Sequence, residues 1–300
     1  MKALSARHQA RALWLGDSIE LTKPRITLMV VITTAVGMVM AASTVAVAVS
    51  PLLVAATLGG TWLLAAGASA LNMWWERDAD ARMRRTERRP LPAGRLEPEV
   101  ALTLGLGLSV AGTAVLLVLV NTPTAVLGTF TLASYVALYT PLKRTTEWST
   151  LIGAVPGAIP PMMGWAAVTG RLDALAWTLF SILFLWQVPH FYAIAWLYRD
   201  DYAAGSFRTL AVVDPLGRRS ARQSVVFTVL LVIASLVTVG LGISSVVYGV
   251  GALALGFGFL RASLAFARLR TAPAARRLML YSVVYLPVLL GLLVIDRLLF

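Results

Sequence analysis

The sequence predicts an all-α polytopic membrane protein, with about nine transmembrane helices around a central cavity. Of its 300 residues 58% are hydrophobic and 13% charged, a balance that a water-soluble domain does not sustain. Nine apolar runs approach the roughly 20 residues needed to cross a bilayer, at about 26–47, 51–71, 100–120, 123–142, 150–169, 173–195, 224–243, 246–267 and 278–299. Basic residues collect in alternate loops: with the N-terminus cytoplasmic, every Lys and Arg except Arg171 and Arg297 falls on the cytoplasmic side. That separation requires an odd number of spans and puts the C-terminus on the periplasmic or external side.

Residues 1–25 carry Lys2, Arg7, Arg11, Lys23 and Arg25 and lack the short apolar core and cleavage site of a removed signal. They read as a cytoplasmic segment ahead of a single membrane domain over 26–300. The chain has no cysteine, which excludes disulfides, thiolate metal sites and a cysteine nucleophile. The net charge of +12 lies between apolar runs, so it serves orientation and contact with membrane lipids or anionic substrates, not nucleic acid.

Span two runs into the most informative stretch, Asn72-Met-Trp-Trp-Glu76-Arg-Asp78-Ala-Asp80, followed by Arg82, Arg84, Arg85-Thr86 and Arg88-Arg89-Pro90-Leu91. Helical spacing places Asn72, Glu76 and Asp80 on one face. Two carboxylates and an amide oxygen there suit Mg²⁺ that also binds substrate phosphates, and the arginines beyond suit the phosphates themselves. A solvated, topologically basic loop is the plainer alternative for the arginines.

Spans three and eight carry Gly105, Gly107 and Gly112, and Gly251, Gly256 and Gly258, which read as close helix packing. Span four ends Tyr139-Thr-Pro-Leu-Lys143-Arg144, with Tyr139 and Lys143 one turn apart. Span five holds Pro156, Gly157, Pro160, Pro161 and Gly164. So many breakers at membrane depth predict a cavity wall. Span six carries His190 after Pro189 and emerges into Arg199-Asp200-Asp201-Tyr202. An ionisable group inside a span suggests function, with a satisfied interhelical hydrogen bond as the alternative for His190. Spans seven to nine read as scaffold, and the basic loop Arg268 to Arg277 as topological charge or lipid contact.

Together Asn72-xxx-Glu76-xxx-Asp80, Arg85-Thr86, Arg89-Pro90-Leu91, Tyr139-xxx-Lys143 and the acids after span six resemble the intramembrane prenyltransferases typified by 4-hydroxybenzoate polyprenyltransferase. Three stretches resemble its haem-farnesylating branch: Asn72 to Arg95, Thr140 through Trp165, and His190 through Gly205. The family usually has Asp at Glu76, and haem-farnesylating members often have Asn at Ser149. The outer positions of the second acidic motif of quinone-type members are here Tyr198 and Tyr202, which favours the haem branch.

The resemblance implies transfer of farnesyl from farnesyl diphosphate to haem B, a substrate and not a cofactor, in the cell inner membrane with Mg²⁺ as cofactor. It assigns Asn72, Glu76 and Asp80 to metal and diphosphate, with Asp200 and Asp201 on a second ion. Arg82, Arg85, Lys143, Arg144 and Arg199 would neutralise the leaving group, Tyr139 would belong to the catalytic set, and Arg82, Arg89, His190 and Tyr202 would contact substrate. It also implies hand-over to a haem A synthase or terminal oxidase assembly. A quinone-precursor or chlorophyllide acceptor, an anionic-lipid or phosphate transporter, and a non-catalytic haem scaffold are the competing readings.

Overall fold

The computed structural model describes residues 14–299, so Lys2, Arg7 and Arg11 lie outside the described residues. The described residues form helices without strands, nine of them long and apolar enough to span a membrane. They run α1 (Pro24–Val45), α2 (Pro51–Asp80), α3 (Pro98–Leu119), α4 (Thr122–Ala133), α5 (Ser149–Ala158), α6 (Pro160–Thr169), α7 (Ala174–Leu197), α8 (Arg199–Ala204), α9 (Leu210–Val213), α10 (Arg218–Gly240), α11 (Val246–Leu269) and α12 (Ala272–Leu299). The span α4 is completed by a π-helical turn, Ser134–Tyr139, and a last α-turn, Thr140–Leu142. The broken fifth span is α5 and α6 together.

Local chemistry sets the ends. Pro24, Pro51 and Pro98 open α1, α2 and α3, where a missing N–H costs nothing. The side chains of Ser50, Asn121 and Asp173 accept from the amides of Leu53, Thr124 and Leu175 and cap α2, α4 and α7.

Near the middle of the bundle α6 packs against α1, α2, α4, α5 and α7. The last helix closes the bundle: α12 packs on α1, α7 and α11, and Asp296 in its final turn accepts from the Ser245 amide at 2.7 Å. Around α6 the breakers prove to be contacts. A Cβ on Gly164 would overlap the Thr34 carbonyl, one on Gly37 the Pro161 carbonyl, and one on Gly157 the Gln187 amide. The fifth span is therefore the hub of the bundle, and only Ser149 and Thr150 at its entry line the cavity. The predicted cavity wall is confined to that end, because close backbone approach needs glycine wherever α6 meets α1 and α5 meets α7. The glycines of the third and eighth spans pack as expected except Gly107, which faces open space: Gly105 abuts Leu71, and Gly256 abuts Val232.

The loops after α2, α4 and α7 gather at one end of the bundle. Arg82 donates to the Gly205 carbonyl at 3.4 Å, the Arg208 amide to the Lys143 carbonyl at 2.7 Å, and Arg219 pairs with Glu147. A cavity opens beneath them.

Candidate active site

The cavity is built from four parts of the chain that helical geometry delivers to one place. Along α2, Asn72, Glu76 and Asp80 form a buried row 1%, 5% and 1% exposed, as their four-residue spacing requires. Facing them is the end of the fourth span, where Pro141 has no N–H to donate to the carbonyl four residues back. The backbone passes into a π-turn, and the Thr140 amide and hydroxyl both donate to the Tyr135 carbonyl. Positions four apart share a face across this turn as they do on an ordinary helix. Tyr135, Tyr139 and Lys143 thus stack on the cavity side, with the tyrosine rings 5.3 Å apart and the Lys143 ammonium 4.4 Å from the Tyr139 ring centre. Gly153 leaves the room that the Tyr139 ring fills.

Each oxygen-bearing side chain of the row meets a cation. Lys143 Nζ lies 2.7 Å from Glu76 Oε1, Arg89 Nη1 2.6 Å from Asp80 Oδ2, and Lys23 Nζ 2.8 Å from Asn72 Oδ1. The Asn72 amide also donates to Thr140 Oγ1 at 3.1 Å. Burial works against the Lys143 ammonium, but the Glu76 carboxylate outweighs it and holds Lys143 above the ordinary lysine range. Burial and then the Arg89 charge push Lys23 well below it.

Two buried polar atoms lining the cavity have no partner, Asp80 Oδ1 and Thr209 Oγ1. A buried carboxylate oxygen without a donor is costly unless a ligand completes it. With Glu76, Asn72 and Asp80 it makes a hard-oxygen set that fits Mg²⁺, leaving the rest of the shell to a substrate phosphate. Among the described residues no cluster of three or more His, Asp or Glu side chains could hold an ion by itself. The enclosed space is about 150 Å³, below the roughly 300–1,000 Å³ of ligand pockets, with the paired Lys143 and Arg89 standing in it.

Of the other expected residues, Arg85 and Tyr202 also line the cavity, the Arg85 guanidinium 5.1 Å from the Tyr198 ring centre and 5.9 Å from that of Tyr202. The structure does not bring Asp200 and Asp201 there. The helix breaks at Tyr198 (φ −115°, ψ 25°) before α8 begins, and the Asp200 side chain is 99% exposed beside Arg199. Arg199 lies over Trp196 at 4.6 Å, Arg144 is exposed, and Arg82 is spent on the loop contact to Gly205. His190 also stands apart from the cavity lining. Its Nδ1 is 2.7 Å from Ser282 Oγ on α12 and its ring stacks on Trp186 at 5.0 Å. The neighbouring Phe191, about 100° round the helix, lines the cavity and is 36% exposed.

Lining residues to which sequence reasoning gave no role include Lys23, Tyr135, Thr150, Phe191, Phe207 and Thr209. Lys23 reads as topological charge, yet a Lys-Pro pair at the mouth of a span was a usable signal. Its backbone is left-handed (φ 46°, ψ 62°) as it caps α1, a conformation disfavoured for residues with a Cβ. Tyr135 carried the same four-residue spacing as Tyr139 and Lys143.

The profile of the UbiA prenyltransferase family matches residues 30–284. The chain is 48% identical to a Protoheme IX farnesyltransferase of Solibacter usitatus over 94% of this chain and 99% of that one. It is 44% identical to one of Opitutus terrae, covering 94% and 95%. Among solved structures it is similar to that of a digeranylgeranylglyceryl phosphate synthase, with a TM-score of 0.80 at 15% identity over 95% and 99% of the two chains. It is also similar to a UbiA homolog from Archaeoglobus fulgidus bound to GPP and Mg²⁺, with a TM-score of 0.58 at 13% identity over 92% and 99%.

Proposed function

The chain belongs to the UbiA prenyltransferase family, and from that premise we propose that it transfers the farnesyl group of farnesyl diphosphate to a vinyl group of haem B, giving haem O and diphosphate. The observation that carries the prenyl-transfer half is the buried row Asn72, Glu76 and Asp80 set against Lys23, Lys143 and Arg89, with Asp80 Oδ1 left over. The choice of farnesyl and haem rests on the names of the near-full-length relatives.

Asn72, Glu76 and Asp80 would hold Mg²⁺, which when bound neutralises part of the diphosphate charge and so eases its departure. As the substrate enters, Lys143 and Arg89 turn from the carboxylates to the diphosphate oxygens, and Lys23 and Arg85 complete the cradle. This stabilises charge where it develops as the allylic carbon–oxygen bond breaks and its electron pair leaves with diphosphate. The rings of Tyr135, Tyr139, Phe191 and Phe207 shield the allylic cation from water and attract it through their faces. The vinyl π electrons form the new carbon–carbon bond. Water then adds to the resulting porphyrin-side cation and loses a proton, which supplies the hydroxyl.

We place the chain in the cell inner membrane with the cavity end cytoplasmic, on the alternation of basic loops, and its product with a haem A synthase or terminal oxidase. The test is expression in a bacterium lacking its own haem farnesyltransferase, followed by mass spectrometry of extracted haems. A haem heavier by one farnesyl and one water is expected. Haem B alone from folded protein, with prenylated quinone precursor in the same extract, would transfer the reading to the quinone branch.

A further inference from the structure

The second opening in the molecule lies at the same end of the bundle, outside the catalytic cavity. It is a cleft of about 300 Å³ between the start of α10 and the end of α11. Arg218 and Arg222 stand on one wall and Arg270 on the other, over a floor of Val225, Val226 and Ala267. Positive loops at the cytoplasmic end of a span need no such arrangement, since topology responds to charge and not to geometry.

Arg276 and Arg277, exposed in the first turns of α12, do not line the cleft, and three details describe the arginines that do. First, among the described residues none of the three has a carboxylate within salt-bridge distance, whereas nearby Arg219 pairs with Glu147. Second, the α10 amides of Arg219 and Ser220 are already capped by Asp214 Oδ2 at 2.7 and 3.1 Å, so the cleft's positive character comes from side chains. Third, Arg270 caps α11 in a left-handed conformation (φ 52°), where glycine is the ordinary occupant. The chain holds an arginine at that corner against its backbone preference.

We propose that this cleft binds the phosphate of an anionic phospholipid, with the three guanidiniums on the headgroup and an acyl chain along Val225 and Val226. Arginine forks match phosphate oxygens, and the aliphatic floor matches a lipid tail and not a free ion. The bound lipid bridges α10 and α11, the pair that the sequence reads as scaffold.

The test is native mass spectrometry and lipid extraction on the full chain in nanodiscs of equal phosphatidylglycerol and phosphatidylcholine. The wild type is expected to retain phosphatidylglycerol over phosphatidylcholine, and Arg222→Gln and Arg270→Gly each to lower that retention roughly fivefold, the weight of one basic group near an anionic surface. Arg270→Gly also relieves the left-handed strain, so its loss of lipid is not a loss of fold. Arg276→Gln with Arg277→Gln should leave retention unchanged. Equal loss in that control would reduce the effect to general charge and overturn the site. Retention unchanged in both cleft variants would also overturn it, as would displacement of the lipid by millimolar inorganic phosphate.

Discussion

At the scale of single residues, the candidate site holds its charges in pairs that a substrate must rearrange. Asp80 is the sharpest case, with one carboxylate oxygen on Arg89 and the other without a donor. Asp80→Asn keeps shape and hydrogen-bonding capacity but removes a metal-binding charge. Turnover should fall on the order of 100- to 1,000-fold, as when a group stabilising the transition state is lost, with the melting profile little changed. Lys143 carries both stability and chemistry. Lys143→Met strands Glu76 in the bundle, a loss of about 3–5 kcal/mol for a broken buried pair, read by denaturant titration in detergent. Adding Glu76→Gln should recover most of that stability and none of the activity. Lys23→Met breaks no ion pair, and its expected effect is a raised KM for farnesyl diphosphate with the fold intact. The row on α2 was legible in the sequence because one helix fixes its own periodicity. Lys23 was not, because its place depends on a left-handed cap and on the packing of α1 against α2.

At the scale of elements, two irregularities position the site, and the sequence announced both through proline without telling their consequences. Pro141 signals a disturbance in the fourth span, but only the structure shows it absorbed as a π-turn, with Tyr135, Tyr139 and Lys143 kept on the cavity side. The prolines and glycines of the fifth span suggested a cavity wall. They serve chiefly to let α5 and α6 pass close to their neighbours, since a bundle in lipid gains its cohesion from close packing. Gly164→Ala would drive a methyl group into the Thr34 carbonyl. Overpacking of this kind costs about 1–3 kcal/mol, and the melting temperature in detergent should drop, with activity falling in proportion to folded protein. Span six differs: its acids were expected to hold a second ion, and after the break at Tyr198 neither Asp200 nor Asp201 lines the cavity while Tyr202 does. A helix end cannot be phased from sequence when its cap is irregular.

At the scale of the whole molecule, nine spans, their order and their approximate limits follow from hydropathy alone, because the bilayer fixes length and the hydrocarbon fixes composition. The packing of five helices on α6 does not follow, since it depends on which glycines meet which backbones. The absence of native cysteine makes the orientation directly testable. Cysteine placed at Arg171 should react with an impermeant maleimide from outside whole cells, and cysteine at Arg88 only after lysis. The paired charges of the cavity bear on assembly of the complete site. With Lys143 and Arg89 already on Glu76 and Asp80, Mg²⁺ has little to gain alone, so calorimetry should register tight metal binding only with diphosphate present. The measurement that tests the central claim most directly is the mass of the haem released by the purified chain supplied with haem B, farnesyl diphosphate and Mg²⁺. The account predicts haem O, abolished by chelator and lowered on the order of 100- to 1,000-fold by Asp80→Asn. Undiminished haem O with Mg²⁺ chelated, or haem B alone from folded wild-type protein, would contradict it.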